Sequence, residues 1–227
     1  MSKSKGNVVD PRDILAMFNG NPDPLRYYLV CENDFGQDAV FSMDGLVSRY
    51  HADLADKLGN LLARTTAMIT RYLEGREVRP ERFEEADEVV RDALLSLAEL
   101  ARDASGRSIY EQLIDEGLFA QLLQRVMGAV SEMNVYVTEQ QPWQLAKDPA
   151  KRERLTQVLY TLAEGLRLSA VLLFPFISRS AQAIWQQLGI EEPLSGASFS
   201  QEMRWGRLDG QRVSAGTILF PKLEKRS

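Results

Sequence analysis

Cysteine and histidine are nearly missing from this sequence, with one of each in 227 residues. A single cysteine excludes a disulfide framework and any multi-thiolate zinc site, and it suits a reducing compartment. A single histidine leaves no paired-imidazole metal site and no nucleophile–histidine–acid arrangement, so no metal centre is expected. There is no Gly-x-Gly-x-x-Gly and no phosphate-binding loop. Long apolar runs are lacking too. The longest, Leu168 to Ile177, is broken by Pro175 and falls far short of the roughly 20 residues that span a bilayer. The opening Met1-Ser2-Lys3-Ser4-Lys5-Gly6-Asn7 has no apolar stretch of the secretory kind. These absences together predict a soluble, cytoplasmic protein with no membrane partner.

What is present is an ordinary globular composition, 44% hydrophobic and 26% charged, with a formal net charge of −5. Such a chain can bury a core and is not disordered by composition. The net charge hides a gradient. Residues 76–120 hold 6 basic against 12 acidic groups, whereas residues 121–227 hold 13 against 10. A locally basic surface is therefore compatible with the acidic total.

The apolar spacing is helical over most of the chain. Asp10-Pro11 and Asp23-Pro24 each read as a cap followed by proline at the first helical position. From Ser42, a three-four repeat through Leu46, Tyr50, Leu54, Leu58, Leu61, Thr65, Ile69 and Tyr72 predicts one long helix ending at Gly75. A second runs from near Asp87 towards Leu113, with Gly106 weakening its middle. A third extends from near Gly117 to just before Pro142, a fourth from Pro149 to Pro175, and a shorter fifth ends at Gly189. The residues after Glu191 show no helical period and read as an extended arm with a turn at Asp209-Gly210. The expectation is an all-α, antiparallel helical bundle in three parts: an irregular entry over 1–41, the bundle over 42–190 and the extended tail over 191–227.

A helical bundle alone names no function, but three clusters carry chemistry. Lys3 and Lys5 among serines, glycine and asparagine form a cationic, donor-rich loop suited to phosphate, or else a frayed terminus. Asn60 and Arg64, four residues apart, share one helix face and supply donors and an acceptor suited to a base edge, or else form a polar shoulder. Asn134-Val135-Tyr136 precedes Gln141-Pro142-Trp143, where the proline ends a helix and leaves an indole at the mouth of the bundle. An exposed indole can stack on an unpaired base, and a buried one simply plugs the core. His51 reads as a solvated side chain and Cys31 as a small packed one.

The same residues carry a resemblance. Met-Ser-Lys-Ser-Lys-Gly-Asn followed by Val-Val-Asp-Pro-Arg-Asp resembles the second signature of class I aminoacyl-tRNA synthetases. Asp53-Leu54-Ala55, Leu58-Gly59-Asn60-Leu61, Arg64, Asn134-x-Tyr136, Pro142-Trp143, Leu173-Phe174-Pro175-Phe176 and Leu219-Phe220-Pro221 are similar to the methionyl-tRNA synthetase family over essentially the whole chain. The resemblance implies that the bundle is an anticodon-binding domain whose partner is methionine tRNA. It puts Trp143 against the first anticodon base, Asn60 and Arg64 at base edges of a CAU triplet, and Asn134 and Tyr136 in a pocket-shaping part. It also implies that Lys3 contacts the phosphates of ATP in the parent enzyme. Because the sequence opens inside the signature, the reading is of a portion that is not catalytic by itself, without a cofactor of its own, and whose further partner is the catalytic domain of the same enzyme. A helical interaction module derived from such a synthetase is the alternative. Another class I synthetase of the leucine, isoleucine, valine and cysteine group is disfavoured by the Leu58-Gly59-Asn60 and Pro142-Trp143 combinations.

Overall fold

The computed structural model describes residues 10–32, 41–76, 78–100 and 106–223, without the side chains of 99 and 100. Every regular element among the described residues is helical, and an isolated antiparallel bridge joins Arg76 to Arg212. No helix among them is long and apolar enough to cross a membrane.

Helices α1 (Pro11–Met17) and α2 (Asp23–Glu32) form the entry. The Asp10 carboxylate accepts the Arg12 N–H at 2.9 Å, the N-cap that Asp10-Pro11 implied. Asp23 behaves differently. It is the first residue of α2 and fully buried, and its Oδ2 accepts the backbone N–H of Ser180 at 2.6 Å. It thus caps a helix late in the chain instead of its own. Arg26, which donates to the carbonyl of Pro175, and Arg179, which donates to that of Gly20, reinforce the join.

Helix α3 runs continuously over 43–72. It is built from Met43–Arg49, a π-helical stretch Tyr50–Gly59 and Asn60–Tyr72. Its stripe of Leu46, Tyr50, Leu54, Leu58, Leu61, Leu62 and Ile69 is buried. Gly75, at φ +73°, closes it in the left-handed conformation that glycine takes without steric cost.

The second predicted helix is interrupted. Helix α4 (Glu85–Leu95) passes into a π-turn at Ser96–Leu100, and α5 (Ile109–Asp115) starts afresh. The restart has a local cause: Ser108 Oγ accepts the Glu111 N–H, and Glu111 Oε2 accepts the Ser108 N–H at 2.7 Å. That capping box satisfies helix-end donors, and a restart at Ser108 is worth more than forcing a helix through Gly106.

Helices α6 (Phe119–Gln140), α7 (Pro142–Leu145), α8 (Arg152–Leu173) and α9 (Ser178–Gln187) complete the bundle. Helix α8 is buried on all sides from Gln157 to Leu173 and is the axis about which α3, α4, α6 and α9 pack. It approaches α6 so closely at Gly165 that an added Cβ would lie 2.3 Å from Met133 Sδ.

The segment after Glu191 is not an extended arm. It holds a 3₁₀ turn, Leu194–Gly196, and a short helix α10, Phe199–Glu202. Met203, Leu208, Val213 and Phe220 enter the same core as the bundle helices. Polar anchors hold it there. The Arg167 guanidinium is fully buried, binds Glu164 at 2.6 Å, and donates to the carbonyls of Glu202 and Arg204 at 2.6 and 2.7 Å. Glu164 in turn accepts the Leu208 N–H at 2.7 Å. Further on, Phe220 packs over Gly59, Tyr50 Oη donates to the carbonyl of Pro221, and Lys222 pairs with Asp56 at 2.9 Å. The tail therefore straps the π-helical stretch of α3. The helical period carries no sign of where the tail packs, because four widely spaced apolar residues have no period to detect.

Candidate functional site

Asn60 and Arg64 project from one side of α3, one turn apart. Asn60 is exposed and Arg64 half-buried. Trp143 reaches the same place from α7. Gln141 ends α6 at φ +47°, a left-handed conformation unusual for a side chain with a Cβ, and buried Pro142 starts α7 at once. The reversal brings the half-buried indole beneath Arg64, whose guanidinium carbon sits 5.7 Å from the ring centroid. That is cation–π distance. A planar cation and an indole side by side, with an exposed amide one turn away, form a surface suited to stacking and edge hydrogen bonds.

Asn134 and Tyr136 are not part of that surface in the same sense. The Asn134 amide donates to the carbonyls of Val130, at 2.9 Å, and Lys57, at 3.4 Å, so it ties α6 to α3. Tyr136 points inward and donates to Asp87. Burial, reinforced by the neighbouring carboxylate, raises the phenol well above its usual range, so it acts as a neutral donor. Lys3 lies outside the described residues.

Behind the surface lies a buried network that sequence reasoning missed. Asp87 accepts from Tyr136, from Arg154 Nη1 at 2.7 Å and from the Glu84 N–H at 2.8 Å. Arg154 also donates to Gln140 Oε1 at 2.8 Å, in the residue before the left-handed Gln141. The network thus joins α4, α6 and α8 just where the chain reverses to present Trp143. The only signal in the sequence was Asp87 near the start of an apolar helix.

His51 stacks edge-on to Tyr50 and is half-buried. Cys31 is half-buried, and desolvation pushes its thiol up to about 11. Its neutral form therefore persists at all pH values well below that. At pH 8 the thiolate fraction is about a hundredfold smaller than for a thiol of pKa 9, so alkylation by iodoacetamide is expected to be slower by a similar factor. Rapid labelling of the native protein would contradict the burial. Among the described residues no group of three metal-ligating side chains comes together.

Comparison with known proteins is informative over the whole chain. The sequence profile of the family described as "tRNA synthetases class I (M)" matches residues 1–66. The methionine–tRNA ligase of Caldanaerobacter subterraneus subsp. tengcongensis is 40% identical over 225 residues, 99% of this chain and 33% of the relative. That of Bacillus subtilis is 42% identical over 224 residues, 99% of this chain and 32% of the relative. The matches support the methionyl-tRNA synthetase family, of class I. The chain spans about a third of the length of those curated relatives. In three dimensions, the Mycobacterium tuberculosis methionyl-tRNA synthetase bound by methionyl-adenylate superposes with a TM-score of 0.85 at 31% identity, over 97% of this chain and 41% of that one. The apo form of the same synthetase superposes with a TM-score of 0.84 at 29% identity, over 96% of this chain and 42% of that one.

Proposed function

We propose that this chain is the anticodon-binding portion of a methionine–tRNA ligase, and that the face formed by Asn60, Arg64 and Trp143 reads the CAU anticodon of methionine tRNA. The observation that carries the reading is the Arg64–Trp143 pair beside an exposed Asn60. Two elements distant in sequence supply a stacking plane, a cation and an amide at one place. Single-stranded bases splayed from a loop are read in this manner, and stacking tolerates an acidic domain because it does not depend on net charge.

In this reading residues 1–41 hold the signature loop and a segment that contacts the tRNA stem, residues 42–190 form the anticodon-binding bundle, and residues 191–227 clamp it. Asn134 and Tyr136 shape the pocket indirectly, the first by fixing the spacing of α3 and α6, the second through Asp87. Attachment of methionine with ATP belongs to the whole enzyme, in which Lys3 faces the ATP phosphates and the catalytic domain is this portion's partner. The cytoplasm is its natural compartment.

The test is a titration of methionine tRNA, followed in parallel with a transcript altered at the first anticodon base. Trp143→Ala is expected to weaken binding of the correct transcript by about 1–3 kcal/mol. Equal affinity of the wild-type protein for both transcripts would refute anticodon reading.

A further inference from the structure

We propose that the groove between α3 and α6 is a second RNA contact, a phosphate site that seats the strand running on from the Arg64–Trp143 face. The inference rests on the reading of that face given above. The groove encloses about 440 Å³ and is lined by Arg49 and Lys57 on one side and by Gln121, Gln124, Gly128 and Ser131 on the other.

Its chemistry is that of an anion seat. Asp53, buried at its base, accepts from Tyr27 Oη at 3.1 Å and from Lys57 Nζ at 2.9 Å, and lies 3.6 Å from the Arg49 guanidinium. One carboxylate inside the groove is thus shared by two cations, each of which keeps 41% of its side chain exposed. Glu32, 3.7 Å from Arg49, is not among the groove walls. Across the gap, Gln121 and Gln124 are exposed and commit their amides to no other described residue. Cations plus uncommitted amide donors suit the oxygens of a phosphodiester.

Gly128 gives an independent reason to place an occupant there. It lies within the 22-residue helix α6, where glycine is the least favourable residue after proline. At Gly165 the absence of a side chain is explained by Met133. At Gly128 an added Cβ would meet nothing within 4 Å. Packing within the chain therefore does not require glycine, whereas close approach of something outside the chain does.

The position also fits. The Asn134 amide touches the Lys57 carbonyl, so the groove adjoins the turn of α3 that carries Asn60. From Lys57 to Arg64 is about 10 Å along the helix at 1.5 Å per residue. One strand can therefore lie across both.

The experiment measures binding of the full chain to the methionine tRNA transcript and to the transcript altered at its first anticodon base, over a range of salt. Gly128→Leu projects into the groove from a position where an added Cβ meets nothing within 4 Å, and should keep or raise the melting temperature. It is expected to weaken binding of both transcripts by the same factor, about tenfold, and to flatten the salt dependence. Arg49→Gln should lower the slope of log affinity against log salt by about 0.7, because one phosphate is no longer neutralised. Trp143→Ala, in contrast, should erode the preference between transcripts. If Gly128→Leu and Arg49→Gln bind like wild type with an unchanged slope while Trp143→Ala still weakens binding, the groove is not a phosphate site, whatever protein segment it seats. If the wild-type chain binds neither transcript, both readings fall.

Discussion

Glu164→Ala is expected to destabilise the protein by about 3–5 kcal/mol. The carboxylate is fully buried, 2.6 Å from the equally buried Arg167 guanidinium; Glu202, the second carboxylate on that guanidinium at 3.2 Å, keeps some exposure. Removing Glu164 leaves a desolvated cation with carbonyl partners and one edge carboxylate, and it also removes the acceptor of the Leu208 N–H. Thermal unfolding should shift down by on the order of 10 °C for a chain of this size. The double replacement Glu164→Leu with Arg167→Met should cost less than Glu164→Ala alone, since no buried charge remains. Melting curves of the three proteins decide the matter. A single variant within about 1 kcal/mol of wild type would mean that the pair contributes only as packing.

Asp87→Ala should have an effect of similar size, about 3–5 kcal/mol, and it should reach the candidate site. Three donors lose their acceptor together: the Tyr136 hydroxyl, the Arg154 guanidinium and the Glu84 N–H. Two of those belong to side chains with little or no exposure, and an unmet buried donor costs about 1–3 kcal/mol. Without Asp87, Arg154 also has less reason to hold Gln140, the residue that precedes the strained turn into Pro142-Trp143. At a temperature where the variant is fully folded, its tRNA affinity should therefore fall by at least threefold (about 0.7 kcal/mol), whereas Tyr136→Phe, which leaves the Asp87–Arg154 pair in place, should lose stability and weaken binding by less than Asp87→Ala does. Unaltered affinity in folded Asp87→Ala would show that the reversal at Gln141 is set by Pro142 alone.

Much of this architecture was legible in the sequence, and the reasons are local. Helix α3 announced itself through thirty residues of unbroken three-four spacing, and the left-handed stop at Gly75 lay where glycine followed the last apolar residue. Pro142 ended α6 and positioned Trp143 as its chemistry required. Asn60 and Arg64 were legible as neighbours because helical spacing fixes faces. Their meeting with Trp143 was not, since it depends on how α3 and α7 pack. The capping box at Ser108 was readable in principle, but the apolar period running past it masks it. Asp23 reads as the cap of its own helix because a sequence shows only near neighbours, whereas its partner is Ser180. The buried charges of α8 were invisible for the same reason: Glu164 and Arg167 look like solvent-facing residues until α10 and the segment beyond it cover them.

That last arrangement constrains the order in which the protein can be made. Arg167 finds its carbonyl partners 35 and 37 residues later, and Glu164 its amide partner 44 residues later. At a translation rate of about 5–20 residues per second, the axis of the bundle emerges about 2–9 s before the groups that satisfy its charges. During that interval the nascent bundle holds an ion pair it cannot yet bury. Final closure around α8 must therefore wait for the tail, and ribosome-bound chains stalled before Glu202 should remain open to protease at α8 while those extended past Phe220 are protected.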